Sequence, residues 1–204
     1  MSQPIIRKAE AFRDLNNKGS LLLPNAWDAA SARVFEEAGF EAIGTTSAGI
    51  AYTRWVRDGQ RIAPATMIYE IGIITRSVAV PVTADIEAGY GIRALDIAET
   101  VRQVIDAGAV GVNLEDNAHG QDSALLFDRD MQAERIRAAR READRRGIAL
   151  TINARTDTFL LGLGSDEEER VALTIDRGLS YIEAGSDLNF CATPRLAAFG
   201  PSIG

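Results

Sequence analysis

Asp85, Glu87 and Glu115, together with Asp58, are the acidic residues of this chain best placed to do chemistry, and Arg155 is the cation that could face them. Asp85 and Glu87 follow the apolar run Val80–Ala84, Glu115 follows Val110–Leu114, and Arg155 follows Ile148–Ile152. Several carboxylates gathered at one place cost several kcal/mol, on the order of a shifted pKa apiece, unless something neutralises them. A hard divalent cation does so. Magnesium takes oxygen ligands and keeps much of its water, so one or two direct carboxylates suffice, with manganese as an alternative ion. A guanidinium offers a fork of donors that suits a carboxylate or phosphonate. Singly, each acid reads equally well as a solvated loop residue or a helix cap, and Arg155 as the partner of Asp157 or Glu115. The set carries the argument.

Smaller signals surround these groups. Thr45–Gly49 has small side chains and backbone N–H groups suited to cradling an oxyanion. Asn113 precedes Glu115 by one strand repeat and is a candidate substrate contact. His119, the only histidine, lies in the polar stretch Asn117–Asp128 and is a candidate acid/base, although an exposed loop histidine is the commoner outcome. Trp27 and Tyr90 could wall a pocket. The only lysines, Lys8 and Lys18, precede the first apolar run, so a Schiff-base aldolase has no candidate nucleophile.

The elements that position these residues are short apolar runs alternating with longer amphipathic ones. Leu21–Leu23, Ala42–Gly44, Val80–Ala84, Val110–Leu114 and Ile148–Ile152 are too short for helices and read as strands buried on both faces. Helices are expected over Asp28–Ala38, Pro64–Arg76, Ala94–Ala107, Arg129–Arg146 and Asp166–Ala184, the last capped by Ser165. The strings EEAGF, IDAGAV, DRRGIA and IEAGSD each stop a helix at glycine and turn straight into an apolar run. This βα repeat, without a GxGxxG loop, predicts a (β/α)8 TIM-barrel type fold with about six βα units present. The pattern leaves a flavodoxin-like open sheet as the alternative. In a barrel, the polar residues after each strand share one rim.

Bulk properties narrow the partners. The 204 residues carry a net charge of -7 with 46% apolar residues, so there is no basic face for nucleic acid. The single cysteine, Cys191, excludes an intrachain disulfide. No apolar run is long enough to span a membrane and the N-terminus lacks a signal-peptide core, so a cytoplasmic location is expected.

From Leu21 to Gly185 the chain resembles the isocitrate lyase/phosphoenolpyruvate mutase superfamily. The motifs are Gly44-Thr-Thr-Ser-Ala-Gly49, Val56-Arg-Asp58, Asp85-Ile-Glu-Ala-Gly-Tyr-Gly91, Leu114-Glu-Asp116 and Ala154-Arg-Thr-Asp157. The resemblance implies a magnesium enzyme acting on a small α-oxo acid through an enolate-like intermediate, by C–C or P–C cleavage, decarboxylation or rearrangement. Asp85 would be the principal metal ligand, with Glu87 and Glu115 holding the metal's waters and Asp58 orienting the site. The backbone of Thr46, Ser47 and Ala48 would hold the substrate carboxylate, and Arg155 would anchor the oxo-acid end. Members of the superfamily are usually homo-oligomers, which extends to this chain as an expectation.

The departures are specific. Asn117–Asp128 has neither the cysteine and lysines of the lyase branch nor the lysine and asparagine of the mutase branch, and Glu87 stands where an aspartate is usual. After Asp187 the residues 188–204 show neither strand alternation nor helix periodicity. They are expected to be an irregular tail, truncated or frame-shifted, beyond a partial barrel over 1–187. The alternatives are an inactive oxo-acid-binding protein or a non-functional paralogue.

Overall fold

A computed structural model describes residues 3–120 and 125–193 of the chain. Capping chemistry sets most helix starts. Asp28 accepts from Ser31 N at 2.7 Å while Ser31 Oγ accepts from Asp28 N at 3.1 Å, a reciprocal box that opens α2 (Ala29–Glu37). Pro64 begins α4 (Pro64–Ser77), where its missing N–H leaves nothing unpaired. Asp128 caps α6 (Arg129–Arg145). Asp166, rather than Ser165, caps α7 (Glu167–Glu183), and the Ser165 hydroxyl donates instead to Glu169. At the other end, Gly108 (φ 100°) and Gly185 (φ 103°) take left-handed backbone just beyond α5 (Ala94–Asp106) and α7. That conformation lets the chain fold back at once.

The strands are β1 (Asn25–Ala26), β2 (Ile43–Thr45), β3 (Val82–Asp85), β4 (Gly111–Glu115), β5 (Thr151–Thr156) and β6 (Leu188–Cys191). All neighbouring pairs are parallel, in the order β1-β2-β3-β4-β5-β6. This strictly sequential order is barrel progression, not the reversing order of a flavodoxin-like sheet. The fold is therefore of the (β/α)-barrel type, with six strands in one run. Among the described residues β1 and β6 are not bonded to each other.

Three expectations are corrected. Leu21–Leu23 is not a strand; pairing begins only at the rim, where Gly44 N donates to Pro24 O and Thr46 N to Ala26 O. Residues 188–191 are not irregular: they form β6, whose backbone pairs with β5. Leu188 and Phe190 in fact alternate with Asn189, and both stay partly exposed because this strand buries neither face. Residues 194–204 of the expected tail lie outside the described residues. Thr45–Gly49, read as a cradle of backbone N–H groups, is the end of β2 followed by a helix start, with Thr46 capping the short helix α3 (Ser47–Tyr52). An additional N-terminal helix, α1 (Gln3–Asn17), buries Ala9 and Phe12 against the core.

The core lies between the sheet and helices α2 and α4–α7 and is made of Ile, Val, Leu and Ala, with Phe12, Met67 and Tyr181. Inside the curve of the sheet a cavity of about 590 Å³ runs from Phe12 and Leu23 up to Asp85 and Arg155. Among the described residues no helix is long and apolar enough to cross a membrane.

Candidate active site

Parallel register puts the polar tips side by side. Asp85 pairs with Asn113 and Asn113 with Asn153, and two residues further along the strands Glu115 pairs with Arg155. The tip of β3 is fixed by the end of β2 and the start of α3. Asp85 N donates to Thr45 Oγ1 at 2.9 Å, and Asp85 Oδ2 accepts from Ser47 N at 3.0 Å and Ser47 Oγ at 2.7 Å. Ser47 Oγ also lies 3.3 Å from Asp58 Oδ1, so Asp58 and Asp85 flank one hydroxyl. Asp58 is nonetheless exposed, whereas Asp85 is half-buried. Asp85 has no cationic side chain within 4 Å among the described residues.

Glu87 is buried on a left-handed backbone (φ 50°). Its carboxylate accepts from Tyr90 OH at 2.8 Å and from Gln60 N, while Gln60 Oε1 accepts from Tyr90 N at 2.7 Å. Burial pushes the Glu87 pKa up, against those hydrogen bonds. Gln60 (φ 56°), Tyr90 (φ 59°) and His119 (φ 47°) share this rare backbone conformation. Four non-glycine residues so held around one set of carboxylates are the kind of local strain that clusters at functional sites.

Glu115 is buried between Arg155 NH1, 2.9 Å from Oε2, and His119 Nε2 on Oε1. Burial pushes its pKa up to about 7, although His119 and Arg155 oppose the shift. Burial alone would lower the His119 pKa, but Glu115 outweighs it and raises it. Arg155 Nε and NH2 fork onto Asp157 at 2.6 and 3.1 Å. Burial disfavours the guanidinium charge, and Glu115 and Asp157 more than restore it. Asn153 Nδ2 donates to Asn113 Oδ1 at 2.9 Å, both facing the cavity.

The backbone cradle expected at Thr46, Ser47 and Ala48 is mostly engaged already. Thr46 N donates to Ala26 O and Ser47 N to Asp85, which leaves Ala48, in the first turn of α3 where no helical acceptor stands behind its N–H. Trp27 is exposed, and Tyr90 holds Glu87 rather than forming a plain wall.

Residues that the sequence did not single out complete the site. Asp116, fully buried, accepts from Thr156 Oγ1, Asp157 N, Tyr181 OH and Arg177 NH1 at 2.7–3.1 Å. It binds the tips of β4 and β5 to α7. Arg135 stacks on Phe127 and donates to the carbonyls of Ala88, Gly91 and Ile92, bracing the loop that follows Asp85. Burial pushes its pKa down to about 10. Only the buried position of Arg135 in a charged helix could have betrayed it, and that needs the fold.

The donor chemistry suits a hard cation: oxygen ligands, a carboxylate at Asp85 without a counter-ion, and buried acids behind it. Among the described residues no three His, Cys, Asp or Glu side chains gather closely enough to ligate one ion directly. Glu87 and Glu115 are turned to their own partners. The residues thus fit an ion with one direct carboxylate and a retained water shell.

Comparison with known proteins gives one consistent result. Residues 12–197 match the family model described as phosphoenolpyruvate phosphomutase. A 2-methylisocitrate lyase of Aeropyrum pernix is 32% identical over 197 residues, covering 92% of this chain and 59% of that protein. A solved structure from Burkholderia cenocepacia is 41% identical with a TM-score of 0.84, covering 91% of this chain and 74% of that one. A phosphonopyruvate hydrolase solved with oxalate and Mg++ is 28% identical with a TM-score of 0.81, covering 92% and 64%. The chain spans about three fifths of the length of the curated relatives it matches.

Proposed function

This chain belongs to the phosphoenolpyruvate phosphomutase family, and on that premise we propose that it is a magnesium-dependent lyase or mutase acting on a small α-oxo acid. The bond that breaks or forms, C–C or C–P, lies next to the oxo carbon, and the reaction passes through an enolate-like oxyanion. The observation that carries this reading is a charge imbalance. Asp58, Asp85, Glu87, Glu115 and Asp157 form a ring of neighbouring acids, and among the described residues Arg155, paired with Glu115 and Asp157, is the one guanidinium that lines the cavity. An anionic substrate would be repelled by that ring of acids without an added cation. Relatives named 2-methylisocitrate lyase and phosphonopyruvate hydrolase, the latter bound to oxalate and Mg++, favour the same chemistry.

Asp85 would hold the ion directly, and Glu87 and Glu115 would accept hydrogen bonds from its waters. Bound there, a divalent ion supplies Lewis-acid stabilisation of the substrate's oxyanion. The chain's own groups do the rest. Thr45 and Ser47 fix the Asp85 carboxylate, so that it need not reorganise when ligand arrives. Arg155 meets the oxo-acid end with the guanidinium hydrogens that Asp157 and Glu115 leave free. Ala48 N–H, Asn113 and Asn153 line the approach of the substrate's other oxygens. Asp58 steadies the Ser47 hydroxyl.

One observation favours a second reading, a protein that binds an oxo acid and turns nothing over. His119 spends Nε2 on Glu115, and the cavity wall includes Asp85 and Arg155 but not His119. Calorimetry with oxalate, with and without magnesium, tests the metal: Asp85→Ala is expected to abolish magnesium-dependent binding, and unchanged binding would remove the ion from the site. Release of pyruvate or carbon dioxide from oxaloacetate, phosphonopyruvate or methylisocitrate then separates enzyme from binder.

A further inference from the structure

The contacts of Arg155 close into a ring. From Arg155, Nε and NH2 run to Asp157. Asp157 Oδ2 accepts from Asn117 Nδ2 at 3.0 Å, and Asn117 Oδ1 accepts from His119 N at 3.0 Å. His119 Nε2 meets Glu115 Oε1, and Glu115 Oε2 meets Arg155 NH1 at 2.9 Å. Five residues from two strand tips and one loop thus hold one another in a closed circuit.

The circuit is anchored, not free. Asp157 is fully buried, and its backbone N–H is fixed by Asp116 at 3.0 Å. Both carboxylate oxygens of Asp157 are spent on the guanidinium, with Asn117 sharing one of them. A two-point fork fixes the plane of a guanidinium as well as its position. Glu115 adds an ion pair at NH1, 2.9 Å away.

We infer that Asp157 and Asn117 are positioning residues that set the plane of the Arg155 guanidinium and couple it to the loop bearing His119. Neither touches the substrate. Asp157 acts through Arg155, and Asn117 acts through Asp157 on one side and the His119 backbone on the other. The inference rests on the proposed role of Arg155 as the oxo-acid anchor. Its consequence for affinity follows from that of outer-shell partners elsewhere, whose loss typically costs about 10–100-fold.

The test uses the full chain with oxalate and magnesium as the probe. Nitrogen-15 spectra of the Arg155 Nε–H report the ring without any ligand. The wild type is expected to show a slowly exchanging Nε–H, and Asp157→Asn and Asn117→Ala to lose that protection. Asp157→Asn is expected to weaken oxalate about 10–100-fold, and Asn117→Ala about 3–10-fold. Magnesium affinity and the unfolding midpoint of Asn117→Ala should stay near wild type. In turnover, both variants should raise KM more than they lower kcat. Should Asp157→Asn fail to fold, Asn117→Ala, in a half-buried loop, decides the matter. A protected Nε–H or wild-type oxalate affinity in Asn117→Ala overturns the inference. Loss of protection in both variants, in a protein that binds no oxalate at all, keeps the ring and defeats the oxo-acid reading instead.

Discussion

The rim of β4 and β5 and the flank formed by α7 and β6 belong to one sheet, yet they are built on opposite terms. At the rim nearly every side chain is polar, buried and answered: Asp116 has four donors, Asp157 three side-chain bonds, Glu115 two partners. On the flank the side chains are apolar and open. Ile175, Leu179 and Ile182 of α7 are more than half exposed, and Tyr181 is the single buried residue of that helix. Tyr181 and Arg177 of α7 also link the two regions, because both reach Asp116. The difference teaches where shape is enforced. Polar networks in a low dielectric tolerate few arrangements, whereas an open apolar stripe constrains little.

That contrast makes predictions about stability. The largest effect should come from Asp116→Ala, which leaves Arg177, Thr156 and Tyr181 without their acceptor; a loss of about 3–5 kcal/mol in urea unfolding is expected. A loss below about 1 kcal/mol would mean that the rim is less tightly determined than its bonds suggest. Arg135→Met should follow, at about 2–4 kcal/mol, because three carbonyls of the loop after Asp85, that of Ala88 buried and those of Gly91 and Ile92 partly so, lose their donor. It should also weaken magnesium-dependent oxalate binding, since that loop carries Glu87. Smallest of all, Ile175→Gln on the flank should move stability by no more than about 0.5 kcal/mol. A loss of several kcal/mol there would place the stripe against a neighbour and erase the contrast.

Much of this was legible in the sequence, for identifiable reasons. Glycine after α2, α5, α6 and α7, each followed by an apolar run, and Pro64 at the start of α4 marked the repeat, so these five helices fall where expected to within about two residues. The strands moved toward their C-terminal ends. Pairing follows backbone register rather than hydrophobicity, so Val80 and Ile148 lie outside β3 and β5 while Asp85 and Arg155 lie inside. The short helix α3 was hidden because Ser47-Ala-Gly-Ile carries loop-like residues, and its start depends on a Thr46 cap bond. The acids and Arg155 could be named in advance, and the pairing of Arg155 with Asp157 or Glu115 stood as the alternative to a substrate contact; the structure has both pairs. The roles of Asn117 and Gln60 could not. They depend on left-handed backbone at His119 and Gln60, which no spacing rule anticipates.

Sequential strand order carries one more consequence, for how the chain is made. Each strand pairs with the one made just before it, so β1 to β4 can assemble while later residues are still on the ribosome. In such an order Asp85, Glu87 and Glu115 become neighbours before β5 brings Arg155 to them. A sheet assembled in that order would carry uncompensated negative charge at its growing edge until β5 docks.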